Sequence, residues 1–209
     1  MAARTLALAS LKGGCGKTTL AFNLAAGFAR TERVGLLDAD PQGTVRHWAE
    51  WSPAPALPRI FSGGDDPLLA LAEGSRDCQR VVLDCPPTLA PDVTGRILER
   101  VDMVLIPILP SPLDLWAGAS TVEAVARARQ RNPGLKAWLV LNQVEPGSAL
   151  SRAMAAALAG LEIPTLTSQV RRRAAYRLAA VEGVSVYQLG ARGREAAREI
   201  DRVIEEIQT

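Results

Sequence analysis

Histidine occurs once in this chain of 209 residues, at position 47, and cysteine three times, at 15, 78 and 85. A single histidine without partners reads as structural, and this one sits in a helix-like stretch, Thr44–Trp51. Three cysteines form an odd set with no C-x-x-C spacing, which points to thiols in a reducing cytoplasm. Nothing beside Cys15 or Cys85 marks either as a nucleophile, so both read as small packing residues. Aromatic residues are few, at 4%. No apolar run approaches the roughly 20 residues that span a bilayer. The first residues enter an apolar strand with no basic-then-apolar leader, so no signal peptide is expected. There are no internal repeats and no low-complexity tail. The formal net charge, +2, is too small to argue for a partner by itself. Its distribution says more: the basic residues are almost all arginine, and many lie after residue 126.

What remains is ordinary globular composition, 48% hydrophobic and 22% charged. The length suits one α/β domain with a well-buried core, and the expectation is a single domain over residues 1–209. Apolar runs of strand length recur at Leu6–Ala9, Val34–Leu37, Val81–Leu83, Met103–Pro107 and Trp138–Leu141. Runs without polar alternation suit parallel strands buried on both faces. Helix-like segments lie between them at 17–30, 67–74, 92–100, 117–131 and 148–160. The alternation predicts a doubly wound, mostly parallel sheet with helices on both faces and ligands at the carboxyl ends of the strands. The Pro- and Gly-rich stretch 52–66 reads as a loop around one short strand, Arg59–Phe61. The last segment, Arg194–Ile207, carries Ala197, Ile200, Val203, Ile204 and Ile207 at helical spacing and should dock on the body. Its polar face mixes Glu with Arg, unlike the Lys/Arg-rich face of a membrane-surface helix.

The densest chemistry is at residues 10–19, Ser-Leu-Lys-Gly-Gly-Cys-Gly-Lys-Thr-Thr, between an apolar strand and a helix. In that context a glycine-rich loop is a credible phosphate site. Gly13, Gly14 and Gly16 let the backbone N–H groups around Cys15 turn toward an anion, and the helix N-terminus adds partial positive charge. Lys17 would reach the β- and γ-phosphates, and the Thr18 hydroxyl, followed by Thr19, would meet Mg²⁺. The pattern departs from the usual loop in one place. Leu11 stands where the first glycine is usual, and a second lysine stands at 12. Lys12 is badly placed to fold back on its own phosphates. On spacing alone it is either a solvated lysine or one that reaches a nucleotide held by a second copy.

Acids follow two other strands. Asp38-Ala39-Asp40-Pro41-Gln42-Gly43 places two carboxylates at i and i+2, one able to assist a metal shell and the other to orient an attacking water. Val82-Leu83-Asp84-Cys85-Pro86-Pro87 ends a strand on a carboxylate suited to Mg²⁺. The metal set is therefore Thr18, Asp38, Asp40 and Asp84. Asn142, after the last strand, offers the donor and acceptor that read an adenine edge. Arg171, Arg172, Arg173 and Arg177 form the main basic cluster, followed by a helix. They read as a sequence-independent contact to a nucleic-acid backbone, against a solvated loop or dimer pairing.

Lys12–Thr19, Asp38–Gly43 and Val82–Pro87, in that order, resemble the deviant Walker A, Walker A′ and Walker B motifs of the ParA/MinD family of P-loop ATPases. The likeness runs nearly the whole chain. Pro107–Ala117 and Arg173–Tyr187 resemble the matching segments of small ParA proteins of the ParF and McdA kinds. The resemblance implies binding of ATP and Mg²⁺ in a sandwich homodimer. Lys12 matches the signature lysine that crosses the dimer, Lys17 the Walker lysine, Asp40 the acid at the attacking water and Asp84 the Walker B acid. It further implies nonspecific DNA binding, hydrolysis stimulated by a ParB-like or McdB-like cargo adaptor, and a cytoplasmic, nucleoid-associated protein that segregates DNA or positions cargo such as carboxysomes.

Within the family, Arg194–Thr209 does not resemble the membrane helix of MinD-like proteins, so no membrane partner is expected. The cysteines do not match the cluster ligands of the nitrogenase iron protein. A strand beginning at about residue 5 argues against an N-terminal helix-turn-helix domain and hence against operator-specific repression. Two other readings stand beside the leading one: a small-molecule enzyme of the dethiobiotin synthetase kind, and a MinD-like membrane switch.

Overall fold

The structure, a computed structural model, describes residues 3–50, 58–87, 93–158 and 160–209. Six parallel strands form one sheet: β1 (Arg4–Leu8), β2 (Val34–Asp38), β3 (Arg59–Ser62), β4 (Arg80–Asp84), β5 (Met103–Ile108) and β6 (Lys136–Leu141). Their spatial order is β3-β2-β4-β1-β5-β6. The strand phase of the apolar runs decides which residue faces which side. Ala7, Val81, Leu83, Val104 and Ile106 enter one core, while Leu6, Leu8, Val82 and Leu105 enter the other. Both faces are buried because each is covered by helices, which is why the strands read as unbroken apolar runs.

One face carries α3 (Pro67–Asp77), α4 (Val93–Leu98), α5 (Pro112–Arg129) and α6 (Ala149–Leu158). The other carries α1 (Lys17–Phe28), α2 (Thr44–Glu50), α7 (Ala174–Val181), a 3₁₀ stretch at Val186–Arg192 and α8 (Arg194–Gln208). On that second face Trp48 stacks on Phe22 at 4.3 Å and donates its indole N–H to the Val184 carbonyl. The expected docking of the last segment is observed: Ala196, Ile200, Val203 and Ile207 of α8 are buried.

Two expectations shift. Residues 107–117 do not form a loop before a helix at 117, because α5 already begins at Pro112. Ser111 caps it by accepting the Asp114 N–H, and proline fits the first helical position because no intrahelical donor is needed there. The helix predicted at 67–74 runs on to Asp77. Pro107 lies inside β5 without breaking the sheet. The Leu105 carbonyl accepts from Ala9, and the ladder to β1 ends there. Two residues on, Pro107 occupies a position where β1 requires no donor. Beyond β6, the segment 164–172 runs alongside it, with Val170 N–H donating to Leu141 and Arg172 N–H to Val144. That run carries the arginine cluster to the carboxyl end of the sheet.

Candidate active site

The loop after β1 turns through two glycines in the left-handed region, Gly14 at φ 79° and Gly16 at φ 91°. Gly16 is the N-cap of α1, and no side chain caps that helix. By contrast α3 and α5 are capped by Asp66 and Ser111. The first N–H groups of α1 are therefore left for an anion. A Cβ on Gly16 would collide with the Asn142 amide, so the close approach of loop and β6 also demands glycine.

The Lys17 ammonium is 6% exposed and donates to the Lys12 carbonyl at 3.2 Å, along the loop it serves. Thr18 Oγ1 donates to Asp84 Oδ2 at 2.6 Å. Asp84 ends β4 and Asp38 ends β2, and the two are register partners on adjacent strands. Asp38 Oδ2 accepts the Arg46 N–H at 3.1 Å, holding the start of α2. The other oxygens, Asp38 Oδ1 and Asp84 Oδ1, are buried without a hydrogen-bond partner among the described residues. Burial pushes the Asp84 carboxyl up to about 7; Asp38 and Asp40 add to the rise, while the Thr18 hydroxyl and Lys17 oppose it. Burial also raises Asp38. Two unpaired carboxylate oxygens side by side are a donor set that a hard cation satisfies. Among the described residues no group of three His, Cys, Asp or Glu is placed to hold a metal alone. This fits Mg²⁺, which takes one or two carboxylates and completes its shell with phosphate and water.

Asp40 is half-buried in the turn after β2. Its Oδ1 accepts the Gln42 N–H at 3.0 Å, and its carbonyl accepts from Gly43. Lys12 does not lie free in solvent. Its Nζ is 2.7 Å from Asp114 Oδ2 in the first turn of α5, and Ser111 Oγ donates to the same oxygen. Asp114, 4% exposed, was not marked by the sequence, although Ser-Pro before it is a helix-start signal.

A cavity of about 250 Å³ opens beside the loop. Gly16, Thr19 and Leu20 form one side, Asn142 and Gln143 lie between, and Arg171–Arg173 with Tyr176 and Arg177 form the other. The Asn142 amide donates to the Cys15 carbonyl at 2.7 Å and accepts the Gln143 N–H, so it fastens β6 to the loop. Gln143 has φ 54°, in the left-handed region that non-glycine residues seldom adopt. The arginines sit differently from a free basic strip. Arg171 and Arg173 face Glu199 of α8, and Arg172 pairs with Glu145 at 2.9 Å. Arg177 lies within α7, exposed, with no ion pair among the described residues. Cys15 and Cys85 are fully enclosed, and burial raises the Cys85 thiol, which suits packing and not nucleophilic work. His47 is exposed on α2, away from these groups.

Residues 6–186 match the family described as CbiA, the CobQ/CobB/MinD/ParA nucleotide binding domain. The chain is 53% identical over 208 residues to the maintenance of carboxysome distribution protein A of Halothiobacillus neapolitanus, covering 97% of this chain and 95% of that protein. An ATP complex of a Cyanothece McdA variant superposes with TM-score 0.67 at 18% identity, over 99% of this chain and 96% of that one. Cobyrinic acid a,c-diamide synthase from Mycobacterium smegmatis, with an ATP analog and magnesium bound, gives 0.75 at 21% identity over 99% and 96%. At such identities the structural likenesses show the fold alone. No helix among the described residues is long and apolar enough to cross a membrane.

Proposed function

Because the chain belongs to the CobQ/CobB/MinD/ParA nucleotide-binding family, we propose that it is a Mg²⁺-dependent ATPase of the partition type whose cargo is the carboxysome. The observation that carries the cargo is the 53% identity, end to end, with a carboxysome distribution protein. In this reading residues 1–209 act as one ATPase domain, in the cytoplasm and over the nucleoid.

Each residue then has a task. The uncapped N–H groups of α1 and the Lys17 ammonium hold the β- and γ-phosphates of ATP. Thr18, Asp84 and Asp38 would hold Mg²⁺, which when bound neutralises charge on the phosphate oxygens. The turn at Asp40 orients a water for in-line attack. Water oxygen bonds to the γ-phosphorus as the bond to the bridging oxygen breaks; ADP leaves with the electron pair, and the protons of the water go to the released phosphate. The base and ribose occupy the 250 Å³ cavity, where Asn142 keeps a second N–H for the base edge.

Lys12 exchanges Asp114 for the phosphates of a second copy, so that ATP assembles a sandwich dimer. The exposed sides of Arg171, Arg172 and Arg177 give that dimer a phosphate-backbone contact without sequence preference. An adaptor carried by the cargo speeds hydrolysis and releases it. The test is DNA binding by the purified chain with ATP, with ADP and without nucleotide. ATP-selective, salt-sensitive binding is expected; equal or absent binding in all three states removes the DNA-based mechanism.

A further inference from the structure

Glu199 belongs to the last helix, α8, yet it is 1% exposed. The helix does not need it for docking, because Ile200, Val203 and Ile207 already fill the interface. Taking a carboxylate out of water is costly unless every lone pair is used. Here they are used on one target. Glu199 Oε1 accepts from Arg173 Nε at 2.8 Å and lies 2.7 Å from its Nη2. Oε2 accepts the Arg171 N–H at 3.2 Å and lies 3.3 Å from the Tyr176 hydroxyl. Arg171, Arg173 and Tyr176 are all in the wall of the cavity beside the phosphate loop.

That wall has a second attachment, the backbone bonds of Val170 and Arg172 to the end of β6. Those bonds fix the course of the main chain but not the side chains. The Arg173 side chain is 25% exposed, and among the described residues its ion pair is with Glu199. Its planar fork is aimed by that one carboxylate. Among the described residues, the hydrogen bonds and ion pairs of Glu199 go to Arg171, Arg173 and Tyr176 and none to the loop Lys12–Thr19.

We infer that Glu199 is a positioning residue for the base-side half of the nucleotide site, holding Arg173 and Tyr176 as the wall against which base and ribose rest. The inference rests on the nucleotide reading above. Loss of the carboxylate frees the Arg173 head to enter the cavity and leaves the Tyr176 hydroxyl with the Ala196 carbonyl alone, 3.3 Å away, while phosphate capture at the loop is untouched.

The test compares two ligands on the full chain by calorimetry: MgATP, which uses both halves of the site, and inorganic tripolyphosphate with Mg²⁺, which uses the loop alone. Glu199→Ala should weaken MgATP about tenfold, the worth of a charged hydrogen-bond set. It should leave tripolyphosphate within about twofold on the same scale. Glu199→Gln, which keeps the shape and one acceptor, should fall between, and it carries the comparison if circular dichroism shows Glu199→Ala unfolded. Equal weakening of both ligands, or of neither, overturns the positioning role. A wild-type chain that binds neither ligand overturns the nucleotide reading and this inference with it.

Discussion

The Lys12 ammonium donates to Asp114 at 2.7 Å, joining the first lysine of the phosphate loop to the first turn of α5 across 102 residues of sequence. Asp114 is almost fully buried and Lys12 about one-third exposed, so the pair is held from the protein side and open on the other. A lysine restrained in this way leaves Asp114 only for a stronger anion.

Lys12→Ala should therefore leave ATP affinity nearly unchanged and remove assembly. Sizing with a nonhydrolysable ATP analogue should show wild type moving to a dimer and the variant remaining monomeric. An unchanged dimer would dismiss the crossing role. The variant should also melt slightly lower, because the Asp114 carboxylate loses one of its donors and keeps Ser111, a cost of about 1–3 kcal/mol.

Asp84 makes a prediction about pH. Burial pushes its carboxyl up to about 7 from the ordinary 3.8, so folding shifts the balance toward the protonated form. A carboxyl raised by folding contributes stability that is full below the unfolded value and is lost as pH rises through the folded one. Between about pH 4 and pH 7 the metal-free chain should lose stability from this group. Asp84→Asn cannot ionise. Its metal-free melting temperature should exceed that of wild type at pH 8, with the gap shrinking toward pH 5. A gap independent of pH would contradict the assignment. Mg²⁺ with ATP should raise the wild-type melting point and not that of the variant.

At the opposite end of the same strand, Arg80 is wholly buried. Its guanidinium stacks 4.0 Å over Phe28, and Nε and Nη2 donate to Glu32 at 3.1 and 3.2 Å. Glu32→Ala leaves that charge unpaired and should cost about 3–5 kcal/mol in urea unfolding. Adding Arg80→Leu should recover most of the loss. Because this pair lies at the amino end of β4, ATP turnover per folded molecule should not change. A loss below about 1 kcal/mol would mean that water reaches the guanidinium.

If the DNA contact proposed above holds, Arg177 should carry it most directly, being exposed on α7 without an ion pair among the described residues. Arg177→Ala should weaken ATP-dependent DNA binding uniformly across sequences and reduce the salt slope by about 1. An unaltered slope would move the DNA contact elsewhere.

The sheet, and the glycine loop's place between β1 and α1, were legible in the sequence because their signals are local. Apolar runs mark strands buried on both faces, and each functional acid sits at the end of such a run. The partners of those residues were not legible. Asp114 stands beside two prolines that read as loop, although Ser111 and Pro112 together start a helix. Glu199 falls among the Glu and Arg of an amphipathic helix, where the repeat suggests a solvated face. Only the packing of α8 against α1 and the 3₁₀ stretch turns that carboxylate inward. The backbone bonds of Val170 and Arg172 beyond β6 bring the Arg171–Arg173 run to a cavity, which a count of basic residues does not reveal.

Asp38 and Asp84 are opposite one another in the ladder between β2 and β4, both facing the loop. Since side chains alternate with every residue, a slip of one position would set Asp84 beside Leu37 and send the two acids to different faces of the sheet. The pair therefore works as a gauge of strand alignment. A chain folded in the wrong register would lose the proposed cation site outright, so any magnesium-dependent stabilisation would report whether the sheet has been assembled correctly.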